Sequence, residues 1–154
     1  MKRRKVLASL GFVSLAASNL FSSEKGRGTK KQEINTKKAP KAIGPYSQGI
    51  VSKGFVFASG SIAIDPGTGK LNTGTVEEQT RVALTNLKGV IEAGGSSMGK
   101  VVKCTVFLQD MNDYGAMNAV YAEFFKAPYP ARAAVQVARL PKDVKVEIEA
   151  IAEI

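Results

Sequence analysis

The 154-residue chain contains no histidine and a single cysteine. A Ser-His-Asp or Cys-His arrangement, an imidazole metal site and a multi-thiolate zinc site are therefore ruled out. No dinucleotide fingerprint is present. Gly69-Lys70 lacks the glycine spacing and the following Ser or Thr of a phosphate loop. What remains is the chemistry of carboxylates, guanidinium groups, hydroxyls and backbone. Two residues stand out, Arg132 and Glu147. The planar fork of an arginine can hold a carboxylate through two parallel hydrogen bonds. A glutamate desolvated in a cleft takes a raised pKa and can pass a proton to or from water. Hydrolysis of an already electrophilic carbon needs little more than orientation, a placed water and a proton path.

Both residues belong to one stretch, Pro130 to Ala150, which reads as two β-strands joined by a turn at Leu140-Pro141-Lys142-Asp143. In the first, Arg132 to Val137, the residues Ala133, Val135 and Val137 face one way and Arg132, Ala134 and Gln136 the other. In the second, Val144 to Ile154, an apolar face of Val146, Ile148, Ala150 and Ala152 opposes Lys145, Glu147 and Glu149. This alternation predicts a core face and an ionisable face on each strand. Arg132 and Glu147 then project from the non-core faces of successive strands, and share a site if the strands lie near each other. A solvated sheet face with scattered charges is the plainer meaning of the same pattern.

The elements upstream must carry these strands. Gln48 to Ser59 reads as a hairpin turning at Lys53-Gly54. Asp65 to Lys70 is a loop by composition. Thr75 to Ala93 is the clearest helix: Thr75 and Glu78 have capping-box spacing, Ala83, Leu84, Leu87, Val90 and Ile91 share one face, and Gly94-Gly95 ends it. Val101 to Leu108 is a strand on which Val102, Cys104, Val106 and Leu108 share the buried face, making Cys104 an apolar core residue. A second helix starts after Asp110 or Asn112, lines its core face with Met117, Tyr121 and Phe124, and ends before Pro128 and Pro130. The order β-β-β-α-β-α-β-β predicts one α+β domain: a single mixed sheet with two helices packed on one face, and the other face in need of cover.

The formal charge of +9 invites a nucleic-acid reading, and its distribution removes it. Residues 1–41 hold 11 Lys/Arg against 2 Asp/Glu, whereas residues 42–154 hold 11 of each. A neutral domain has no electrostatic footprint for phosphate backbones, and no nucleic-acid partner is expected. Lys2-Arg3-Arg4-Lys5, the short apolar run from Val6, and Ala16-Ala17-Ser18 together read as an export signal over residues 1–18. The apolar run is too short to span a bilayer comfortably, and no lasting membrane association is expected once the signal is cleaved. Arg3-Arg4 resembles a twin-arginine signal; an ordinary secretory signal is the alternative. Residues 19–37 form a basic linker, in which only Ile34 could start a strand, and residues 38–154 the folded domain. The protein is expected in the periplasm or secreted, or in the cytoplasm if the N-terminus is not a working signal.

Three stretches carry a resemblance: Ala42-Ile43-Gly44-Pro45-Tyr46-Ser47-Gln48-Gly49, Phe57-Ala58-Ser59-Gly60, and Pro130-Ala131-Arg132 with its apolar-Glu-apolar-Glu close. From Lys38 to Ile154 the chain resembles the RidA/YjgF-like family of enamine/imine deaminases. The resemblance implies a chorismate-mutase-like, RidA-like fold, a homotrimer with a barrel-like core, and no cofactor or metal. It also implies hydrolysis of 2-imino or enamine acids, of the 2-aminoacrylate or 2-iminopropanoate kind, to 2-keto acids and ammonia. Arg132 matches the arginine that grips the substrate carboxylate, Glu147 the glutamate that positions water, and Tyr46 the site tyrosine. Gly60 matches a strand-end glycine lining the cleft from a neighbouring subunit. Ala134 stands where many members carry Cys, and the resemblance implies a water-holding role for its main-chain carbonyl. Ser61, also expected at the substrate, replaces a frequent Gln. A non-catalytic trimeric module that binds or senses a small imino or keto acid is the alternative function, and an RNA-cleaving activity is disfavoured by the neutral domain and the absent histidine.

Overall fold

The computed structural model describes residues 30–154. The expected export signal over residues 1–18 and the first part of the linker lie outside the described residues. One six-stranded sheet, in the order β1-β2-β3-β6-β4-β5, carries two helices on one face. This is the predicted α+β architecture, mixed because β5 runs parallel to β4 while the other pairs are antiparallel. The edge strand β1 (Gln32–Ile34) starts at the residue range where Ile34 pointed to a strand, so part of the expected linker belongs to the sheet. Strands β2 (Gly49–Ser52) and β3 (Phe55–Ser61) form the predicted hairpin. Its two turn residues, Lys53 and Gly54, both take positive φ, 49° and 80°, which is the backbone twist that a two-residue hairpin requires.

Helix α1 (Val76–Ala93) begins with the capping box read from the sequence. Thr75 accepts from the Glu78 backbone, and Glu78 accepts from the Thr75 amide in return. Leu84, Leu87 and Ile91 are fully buried. Each contributes about 1.5–3 kcal/mol by leaving water. Helix α2 (Tyr114–Phe124) follows a 3₁₀ turn, Met111–Asp113, that Asp110 caps. It sets Met117, Val120 and Tyr121 against the sheet. On β6 (Val146–Glu153) the alternation holds throughout: Val146, Ile148, Ala150 and Ala152 are buried under the helices, and Glu147 and Glu149 point to the other face.

Two expectations need correction, and the condition set for a shared site, nearness of the strands that carry Arg132 and Glu147, is not met by direct pairing. On β4 (Val101–Leu108) a register shift between Val101 and Lys103 turns Val102 outward and gives the core position to Val101; Cys104, Val106 and Leu108 are buried as expected. Strands β5 (Ala131–Gln136) and β6 are not neighbours, since β4 lies between them. The faces of β5 are also the reverse of those predicted. Arg132 pairs in register with buried Cys104, and Ala134 with buried Val106, so both face the helices. Val135, expected in the core, is 44% exposed on the open face. With it on that helix-free face lie Phe57, 43% exposed, and half-buried Phe107 and Ile151.

Candidate active site

The expected site residues fall into two separate groups, one around the end of β3 and one under α2. The first group is built around the end of β3. Gln48 is buried, and its amide nitrogen donates to the carbonyls of Thr36, Ala39 and Pro40 while its oxygen accepts from the Thr36 amide. Ser59 donates to the Ser47 carbonyl at 2.7 Å. These bonds pin the Pro40–Gln48 loop over the strand end. Tyr46 is held at its tip, half exposed, with its hydroxyl accepting from the Ile43 amide at 3.3 Å. The loop roofs an apolar pocket lined by Pro40, Ile43, Tyr46, Gly60, Ser61 and Ile64.

Beside this pocket a register shift between Ala58 and Ser61 brings Gly60 against the carboxyl of Glu147. The approach is so close that a Cβ on Gly60 would lie 2.8 Å from Glu147 Cδ and 3.1 Å from its Cγ. Only glycine leaves room for the carboxylate in the position it occupies. Burial pushes the Glu147 pKa above its ordinary value of 4.5, and the like charge of Glu149 adds to the rise. Tyr46, Gly60, Ser61 and Glu147 are thus brought to one region by the loop, the strand shift and the alternation of β6.

The second group lies under α2. Arg132 rises from β5 and places its guanidinium over the ring of Tyr121, 4.4 Å from the centroid, with the Tyr114 ring 5.6 Å away. Its Nη2 donates to Tyr114 Oη at 2.9 Å and to Asn118 Oδ1 at 2.8 Å. Among the described residues no carboxylate pairs with it. The Tyr121 hydroxyl is buried and finds no hydrogen-bond partner among the described residues, and burial raises its pKa, so the ring beneath the cation stays neutral. A surface pocket lined by Asn118, Tyr121, Tyr129, Pro130 and Arg132 opens beside it. Ala134 lies two residues along the same edge strand. Val137 donates to the Leu108 carbonyl, so by the alternation of a parallel ladder the Ala134 carbonyl points to the open edge, free to hold a water.

The expectation that Arg132 and Glu147 both project from non-core faces therefore holds for Glu147 and is overturned for Arg132. Glu147 pairs in register with Phe107 on the open face of the sheet, and Arg132 with Cys104 on the helix face. Sequence reasoning also missed the residues that orient Arg132. Tyr114, Asn118 and Tyr121 recur at i, i+4 and i+7, one stripe of a helix, and that spacing was the available signal.

A single mixed sheet under two helices carries, among the described residues, an arginine with no carboxylate partner at one edge and a desolvated glutamate beside a bare glycine, and no group of His, Cys, Asp or Glu that could hold a metal ion. Residues 36–154 match the family model described as Endoribonuclease L-PSP, and the chain belongs to this family, that of RidA/YjgF. A RutC family protein of Pyrococcus horikoshii is 55% identical over 122 residues, 79% of this chain and 97% of its own. A 2-iminobutanoate/2-iminopropanoate deaminase of Salmonella typhimurium is 51% identical over 122 residues, 77% of this chain and 94% of its own. The crystal structure of Escherichia coli TdcF with bound serine superposes with a TM-score of 0.77 at 49% identity, covering 80% of this chain and 98% of that one.

Proposed function

We propose that this protein hydrolyses small 2-imino or enamine acids to 2-keto acids and ammonia. The observation that carries this reading is Arg132: a guanidinium oriented by two neutral acceptors, stacked on a neutral ring and left without an acidic partner among the described residues. Such a group is ready for a substrate carboxylate. Glu147 orients water for attack on the C=N carbon, accepts its proton and passes that proton to the imine nitrogen. The resulting carbinolamine collapses to the keto acid, its hydroxyl proton returning through Glu147 to the departing ammonia. Tyr46 closes over the substrate, Ser61 and the Gly60 backbone line the cleft, and the Ala134 carbonyl holds a water. The relatives named as imine deaminases support the reaction class, and the serine in TdcF has the carboxylate and neighbouring nitrogen of a 2-imino acid.

Since Arg132 and Glu147 lie on opposite faces of the sheet in one chain, the reading needs a second copy, whose Arg132 meets the Glu147 of its neighbour. The open face, with Phe57, Phe107 and Val135, is the surface on which copies meet in a homotrimer. The charge balance of residues 42–154, 11 against 11, gives no support to an RNA substrate. We place the protein in the periplasm or outside the cell, on the strength of Lys2 to Ser18; a fusion of residues 1–30 to a reporter active only after export tests this.

The deciding assay generates an imino acid in situ from an amino acid with an amino-acid oxidase and follows ammonia release. Acceleration over buffer is expected. A protein that binds 2-keto acids yet leaves imine loss at the buffer rate would be a binding or sensing module instead.

A further inference from the structure

The expected grip on a carboxylate uses two parallel N–H groups of Arg132, and the structure has already spent part of that grip. Nη2 contributes one N–H to each of the two forks of a guanidinium, one shared with Nε and one with Nη1. Both of its hydrogen bonds are made internally, to Tyr114 Oη and to Asn118 Oδ1. Neither fork is therefore free as a pair. Each has one prong occupied, by a phenol oxygen on one side and an amide oxygen on the other, and one prong, Nε–H or Nη1–H, still open.

The two occupied prongs are not equivalent to an incoming anion. The prongs of a fork are parallel and close, so an oxygen that takes the open one comes within hydrogen-bond reach of the atom on the other. Beside Asn118 Oδ1 that oxygen meets an acceptor with no proton, and the two repel. Beside Tyr114 it meets a hydroxyl whose lone pair serves Arg132 and whose own proton is uncommitted. Tyr114 is 37% exposed, whereas the Tyr121 hydroxyl is buried.

We propose that Tyr114 supplies the second prong of the carboxylate contact: the anion takes one N–H from Arg132 and the O–H of Tyr114. The ligand class is a small 2-oxo or 2-imino monocarboxylate, and the assignment rests on Arg132 being the carboxylate site of the proposed function. Tyr114 is then a substrate-binding residue that selects for an ionised carboxylate over its ester or amide, because a neutral carbonyl accepts the phenol proton more weakly.

Calorimetric titration of full-length protein tests this with pyruvate and methyl pyruvate as probes, comparing the parent with Tyr114→Phe. The phenylalanine keeps the ring near Arg132, and a thermal melt of each protein checks that the fold is retained. Removing a hydrogen bond to a charged group weakens binding by about tenfold or more, so pyruvate is expected to bind the variant at least that much more weakly. Methyl pyruvate should bind both proteins alike. Equal pyruvate affinity in parent and variant overturns the role of Tyr114 and leaves the Arg132 assignment standing. Tighter pyruvate binding by the variant also overturns it, since Tyr114 would then be competing with the anion for Nη2. A parent that binds no pyruvate at all removes the carboxylate site itself, and with it both readings.

Discussion

Adding one methyl group at Gly60 separates the chemistry of the site from the stability of the fold. A Cβ there would stand 2.8 Å from Glu147 Cδ, against about 3.5–4.0 Å for an ordinary carbon–carbon contact, and nearer still to the carboxylate oxygen. The Glu147 carboxyl must therefore swing by about 1 Å. It can do so, because the clash is with the far end of a flexible side chain and not with backbone. The cost to the fold is that of an off-rotamer χ angle, about 0.5–1.5 kcal/mol. The cost to catalysis is larger, since a misplacement of about 1 Å in a group that positions a reactant lowers turnover about a hundredfold. Gly60→Ala should thus melt within a few degrees of the parent and bind pyruvate with similar affinity, yet release ammonia from in-situ imino acid about a hundred times more slowly. Steady-state ammonia release, calorimetric pyruvate binding and a thermal melt measure the three quantities. A Gly60→Ala variant that turns over at the parent rate would refute the assignment of Glu147 as the water-positioning group. A variant that fails to fold would refute the claim that the side chain can move aside.

Arg132→Ala should lose about 2–5 kcal/mol of binding and transition-state stabilisation in kcat/KM, and Arg132→Lys should recover only part of it, because a tetrahedral ammonium lacks the fixed planar fork that the guanidinium presents to Tyr114, Asn118 and a ligand. Glu147→Gln should bind pyruvate but slow turnover about a hundredfold or more. Water activation needs ionised Glu147, so activity is lost as pH falls through its folded pKa. Because burial raises that pKa, the acid limb of kcat/KM should lie above 4.5, and a limb at or below 4.5 would count against desolvation of the group. Light scattering should report a trimer; a folded monomer at micromolar concentration that still hydrolyses imines would exclude a cleft shared between copies.

Much of the fold could be read from local pattern. The capping box at Thr75 and Glu78, the positive-φ turn at Lys53-Gly54 and the alternation of Val146 to Ala152 each depend on residues close in sequence, and each stands in the structure as read. The types of the site residues were legible for the same reason. Arg132, Glu147, Tyr46 and Gly60 were marked by chemistry and by family signature, and the family itself is that of the matched relatives.

The failures share a different cause. On β5 alanine occupies both faces, at 131, 133 and 134, so the alternation carried almost no information about which face is buried. On β4 a one-residue shift exchanged Val102 for Val101, and nothing in a run of adjacent valines reveals such a shift. The sequence by itself determined which residues can do chemistry and which elements carry them. Only the tertiary structure decided how they are combined: α2 over Arg132, Gly60 against Glu147, and β4 inserted between β5 and β6. A period-two pattern says that neighbours along one strand alternate, but the face a side chain takes relative to another strand is set by pairing and register across the sheet. That long-range pairing puts Arg132 and Glu147 on opposite faces, and makes a cleft that uses both a matter for more than one chain.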